Sequence, residues 1–115
     1  MTEYLLISDP PADWVKMDWC NSAPQVPNTT YHVMGQAMNQ SGRHMHFNMC
    51  EWGKDHPWEW GDSCAQSWRM SADHTPIWDS TKHQIAASAQ IPAEYSGKAF
   101  GWSEYRRSSR RGPFC

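Results

Sequence analysis

The stretch that decides the fold is His44-Met45-His46-Phe47-Asn48-Met49-Cys50-Glu51-Trp52-Gly53. Met45, Phe47 and Met49 alternate with His44, His46 and Asn48, the period of a β-strand with one apolar face. The alternation runs directly into a thiol, a carboxylate and an indole, and Gly53 then releases the chain into a loop. Strands that deliver polar and aromatic groups at their C-terminal ends build the sites of α/β barrels and open α/β sheets. Taken alone, the stretch reads equally well as a buried strand with an ordinary polar exit.

The flanking sequence breaks the tie. Upstream, Asp13 to Asp18 forms a short strand with Trp14 and Lys16 opposite Val15 and Met17, ending on a carboxylate. A Pro-containing loop follows to Pro27. Asn28, Thr29 or Thr30 then caps a helix starting near Tyr31, with Tyr31, Met34 and Met38 at helical spacing and Ser41-Gly42 as its C-cap. Downstream, Asp55 to Gly61 reads as an aromatic loop, followed by a short helical piece around Cys64 to Ser67. Trp68 to Asp73 reads as a strand and its exit, Ile77 to Ala89 as a weakly patterned helix ended by Pro92, and Lys98 to Trp102 as a last strand. The order β, α, β, loop, β, α, β argues for an α/β fold with a parallel sheet. Each strand delivers a chemically useful group: Asp18, Glu51, Arg69 with Asp73, and Trp102.

Composition narrows the function classes. The 115 residues carry a net charge of −2, which gives no reason to expect nucleic acid. Mean hydropathy of −0.80 and the lack of a long apolar run argue against a membrane span. Met1 to Ser8 has neither the basic start nor the apolar length of a signal peptide. The four cysteines, Cys20, Cys50, Cys64 and Cys115, fit no zinc pattern, and His44, His46, His56, His74 and His83 form no ligand set. No metal or other cofactor is expected. Asn28-Thr29-Thr30 and Asn39-Gln40-Ser41 are glycosylation sequons. Of the eight tryptophans, Trp14, Trp68 and Trp78 read as packing.

Lys16-Met17-Asp18-Trp19-Cys20, Asn39 through Arg43, Cys50-Glu51-Trp52-Gly53, Ser67-Trp68-Arg69 and Ala72-Asp73 occur in this order. Together they resemble the melibiase-type α-galactosidases of glycoside hydrolase family 27. The resemblance covers about residues 13–102, between a divergent segment at 1–12 and a divergent Arg/Ser-rich tail at 103–115. It implies a partial (β/α)8 TIM barrel, about strand units four to seven, where a whole barrel takes ~250 residues. It implies an α-galactoside as substrate, Asp18 as nucleophile and Asp73 as acid/base. Lys16, Cys50, Glu51, Trp52, Arg69 and Trp102 follow as substrate-binding residues, with Cys50 and Trp52 beside the sugar's 2-hydroxyl. Relatives are secreted, lysosomal or vacuolar. Cys20 matches a cysteine whose partner lies upstream in the family, and Cys50 is either a site thiol or the partner of Cys64.

The chemistry suits those residue types. A retaining glycosidase needs one ionised carboxylate to attack the anomeric carbon and a second to protonate the leaving oxygen, about 5–5.5 Å apart. Strand-end aspartates on neighbouring barrel strands can meet that spacing. The family's upstream Asp-Asp pair has no counterpart here, and Ser103-Glu104 stands where the family continues with Asn-Asp. These departures set up a second expectation: a truncated, catalytically inactive remnant that binds sugar weakly at most. An open half-barrel leaves unpaired edges and an incomplete core, so poor folding or association is expected with it.

Overall fold

The computed structural model describes residues 12–95 and 101–104. Four parallel strands, β1 (Trp14–Asp18), β2 (His46–Cys50), β3 (Ser67–Arg69) and β4 (Trp102–Glu104), form one sheet in the order β1-β2-β3-β4. Helix α1 (Pro27–Gln40) joins β1 to β2. A short helix α2 (Pro57–Trp60) and a 3-10 turn (Gly61–Ser63) join β2 to β3. Helix α3 (Trp78–Ala89) and a second 3-10 turn (Ala93–Tyr95) precede β4. Parallel strands in sequential order with helical crossovers are the arrangement of part of an α/β barrel. β4 extends two residues past the expected boundary at 102.

The core lies between the sheet and α1. Tyr31, Met38, Phe47, Met49, Ala65 and Trp68 are buried together, with Val15, Met17 and Met34 packed against them. The expected alternation in β1 and β2 therefore holds, with Val15, Met17, Phe47 and Met49 on the helix side. Tyr31 anchors the layers: its ring lies among Trp19, Phe47 and Trp60, and its hydroxyl donates to the Met17 carbonyl at 3.1 Å. Burial pushes this phenol far above its ordinary pKa, so it stays a neutral donor.

Several boundaries differ from expectation. Helix α1 starts at Pro27, because proline's fixed φ and missing N–H suit a first helical position, while Val26 before it is extended. Asn28, Thr29 and Thr30 sit inside its first turn and make no cap. Its end is as expected: Ser41 N–H donates to the Ala37 carbonyl and Gly42 leaves at φ 74°. The helical piece expected at Cys64–Ser67 lies earlier, with Pro57 again at its start. Of the last strand as expected, Lys98 to Phe100 fall outside the described residues. Trp68 is fully buried, but Trp14 and Trp78 are 50% and 68% exposed and do not act as core. In α3 the expected apolar positions Ile77, Trp78 and Ile85 face solvent, and the buried residue is Gln84.

Candidate active site

In a parallel sheet all strand C-termini meet one edge, so register alone places the polar side chains. The face away from α1 carries Trp14, Lys16 and Asp18 from β1, and His46, Asn48 and Cys50 from β2. Lys16 pairs with Asn48, Asn48 with Ser67, and Ser67 with Trp102, forming one row across the sheet. Asp18 pairs with Cys50 one step nearer the rim, and Arg69 lies one step beyond Ser67. The middle row is tied together: Ser67 Oγ accepts from the Asn48 amide at 2.7 Å and lies 2.8 Å from His46 Nε2.

At the rim, Lys16 Nζ lies 3.5 Å from Asp18 Oδ2, and Trp19 N–H donates to Asp18 Oδ1 at 3.2 Å. The Cys50 thiol is a neighbour of the same carboxylate. Burial, then the hydrogen bond to Asp18, pushes it up to about 11, while Lys16 pulls it back. On β3, buried Arg69 reaches forward along its own exit. Nη1 donates to Asp73 Oδ1 at 3.0 Å, and Nη2 to the Ser71 and Ala72 carbonyls at 3.2 and 3.1 Å. Past the end of β3, the Ser71 and Ala72 carbonyls thus find side-chain donors rather than a neighbouring strand. Asp73 itself is exposed to solvent.

Glu51, expected among the substrate-binding residues, is turned into its own exit loop. It is 1% exposed, and its two oxygens accept from Gly53 N–H and Asp55 N–H, each at 2.7 Å. Burial raises its carboxyl above the ordinary range, against the opposing pull of those two N–H groups. The carboxylate thus closes a tight loop in which Trp52 and Gly53 take φ values of 62° and 76°. Lys54 Nζ sits 4.8 Å over the Trp52 ring, a cation–π contact on one face of the indole.

The fold therefore brings Lys16, Asp18, Cys50, Arg69 and Asp73 to the C-terminal side of the sheet, with Trp52 on the adjoining loop. Trp102 opens β4 on the polar face, in the same row as Lys16, Asn48 and Ser67 and one step below Asp18 and Cys50. Cys50 and Cys64 are both free thiols. Successive residues of a strand point to opposite faces, and Cys64 Sγ packs 3.7 Å from Met49 Sδ, so the two cysteines lie on opposite sides of β2. Asn48, Ser67 and Gln84 were missed. For Asn48 the signal was present, since it alternates with apolar residues in the stretch that sets the fold. Among the described residues no group of three or more His, Cys, Asp or Glu side chains could hold a metal ion. A cavity of about 600 Å³ lies at the opposite end of the strands, lined in part by His32, Arg43, His44 and Gln66.

Polar and charged side chains gathered at the C-terminal edge of a parallel sheet are where α/β barrels build their sites. No protein-family model matches the chain. A Dictyostelium discoideum protein named "Probable alpha-galactosidase" is 41% identical over 85 residues, 74% of this chain and 22% of that protein. The Cellvibrio japonicus alpha-galactosidase A is 42% identical over 67 residues, 58% of this chain and 17% of that protein. A solved Bacteroides fragilis chain, whose name places it with the α-galactosidases and melibiases, superimposes with a TM-score of 0.77. It is 28% identical, over 85% of this chain and 22% of that one. The Saccharomyces cerevisiae α-galactosidase solved with raffinose gives a TM-score of 0.58 at 28% identity, over 84% of this chain and 22% of that one. The chain is thus similar in sequence and in fold to one part of these α-galactosidases, and it spans about a fifth of the length of each.

Proposed function

We propose that this chain carries the bond-breaking units of a retaining α-galactosidase. The observation that carries the reading is the rim itself: Asp18 ends β1 and Asp73 lies on the loop after β3, with β2 between them rather than on neighbouring strands as expected, and each has its own cation. Asp18 attacks the anomeric carbon of a terminal α-galactosyl group, and the leaving oxygen takes a proton from Asp73. Asp73 then withdraws a proton from the water that hydrolyses the glycosyl ester. Lys16 gives Asp18 a cationic neighbour. Arg69 holds the Asp73 loop in place while leaving the carboxyl open to solvent and substrate. Cys50 and Trp52 wall the side of the site where the resemblance puts the sugar's 2-hydroxyl.

The test is release of nitrophenol from nitrophenyl α-galactoside by the chain. Turnover lost by at least about a thousandfold in both Asp18→Asn and Asp73→Asn supports the proposal. Turnover unchanged by Asp18→Asn overturns it.

A further inference from the structure

We infer that Gln84 is the positioning residue for Asp73, completing from α3 a clamp that Arg69 begins from β3. A buried side-chain amide is costly unless it is hydrogen-bonded, and Gln84 is the buried residue of a helix whose large apolar side chains face solvent. Its partners lie in the two residues before Asp73. Gln84 Nε2 donates to the Ala72 carbonyl at 2.8 Å, and Ser71 Oγ donates to Gln84 Oε1. The Ala72 carbonyl also accepts from Arg69 Nη2 at 3.1 Å, so both its lone pairs are used, one by the strand and one by the helix. Two further contacts tie the far side of the loop to the start of α3. His74 Nε2 lies 3.0 Å from Thr81 Oγ1, and Thr75 N–H donates to Ser80 Oγ at 2.9 Å.

Asp73 is the one residue from Ser71 to Thr75 not bonded to α3 in this set, and its carboxylate is the group left facing out. The loop is thus gripped on both sides of the acid while the acid stays accessible. Preorganised geometry of this kind is what proton transfer requires, since small displacements of the acid lower the rate without weakening substrate binding. Gln84 touches no substrate and acts through the Ser71 hydroxyl and the Ala72 carbonyl. The catalytic consequence rests on the proposed galactosidase reading; the clamp itself does not.

The experiment uses the full chain with Gln84→Met, which keeps the volume and removes both hydrogen bonds, Gln84→Glu, which keeps only the acceptor, and Ser71→Ala. Side-chain NMR follows hydrogen exchange of the Arg69 guanidinium, and nitrophenyl α-galactoside gives kcat and KM. Gln84→Met is expected to speed Arg69 exchange and lower kcat, each by at least about tenfold, with KM within about twofold. Gln84→Glu and Ser71→Ala fall between it and the wild type. If Gln84→Met does not fold, Ser71→Ala and Gln84→Glu carry the same reading. Arg69 exchange unchanged in every folded variant overturns the clamp. A wild-type chain with no turnover removes the galactosidase reading, while the exchange result still decides the role of Gln84.

Discussion

Arg69 Nη1 and Asp73 Oδ1 lie 3.0 Å apart, with the guanidinium fully buried and the carboxylate mostly exposed. This asymmetry explains how one short strand can both stabilise the sheet and present chemistry. The strand supplies the charge from inside, and the exit loop carries the acid outward. With the carboxylate open to water the attraction between the two charges is screened, so the pair matters chiefly for where it fixes Asp73. The three bonds of the guanidinium, two of them to carbonyls, tie that position to the main chain.

Replacing Arg69 separates charge from hydrogen bonding. In Arg69→Lys a single ammonium stays buried but cannot span three acceptors set out for a planar fork. That leaves a desolvated charge poorly compensated, at a cost of about 3 kcal/mol. In Arg69→Met the charge disappears with its desolvation cost, and only the carbonyls lose donors, about 1 kcal/mol. Urea unfolding is expected to rank Arg69→Lys below Arg69→Met. The reverse order would show that charge, not fork geometry, is what the site needs.

What could be read in advance follows the same physics. The strand stretch from His44 was legible because one face is apolar and the other polar over several residues. Its exit was half legible. Glu51 beside Trp52 has the composition of a site, yet nothing in the residue types shows that the main chain of Gly53 and Asp55 folds back onto the carboxylate. Helix α2 has the sequence of a loop because four residues cannot display a 3.6 periodicity. Helix α3 was found, but its facing was inverted: tertiary hydrogen bonds to Ser71 and Ala72 turn Gln84 inward against the apolar pattern. The placement of Trp102 depends on strand register, which a short strand does not encode by itself.

Glu51 gives a pH signature. Its folded-state pKa is raised above the ordinary 4.5, burial outweighing the N–H bonds. The folded state therefore binds the proton more tightly than the unfolded chain does. This contribution is fully present below about pH 4.5 and is lost as pH rises through the folded value. Glu51→Gln does not titrate, so the stability of the wild type minus that of Glu51→Gln should fall as pH rises above about 4.5. Urea midpoints of both proteins across that range provide the check. Parallel curves would mean that the loop N–H groups cancel the burial.

The thiols report on Asp18. Cys50 and Cys64 are each pushed to about 11 from 9.0, chiefly by burial. Alkylation of either at neutral pH should be at least about tenfold slower than in urea, since the thiolate is the reacting form. Asp18 adds to the shift at Cys50 and takes no part at Cys64, where the second cause is Asp62. Asp18→Asn should therefore speed modification of Cys50 and leave Cys64 unchanged, as followed by peptide mass spectrometry. Equal effects on both thiols would point to loosening of the whole fold instead.

Gly53 joins the two exits. Its φ of 76° lies in the left-handed region, and a Cβ there would strike the carbonyl oxygen of Met70, just beyond β3. The loop closed by Glu51 therefore rests directly against the start of the loop that carries Asp73. Gly53→Ala meets both obstacles at once: about 1 kcal/mol for the backbone conformation and a further ~1–3 kcal/mol for displacing main chain that cannot rotate away. The expected loss is about 2–4 kcal/mol in urea unfolding. The displaced Met70 carbonyl should also move Ser71, so Arg69 guanidinium exchange should quicken in Gly53→Ala although residue 53 touches neither Arg69 nor Asp73. A stability loss with unaltered Arg69 exchange would show that the two exits are independent.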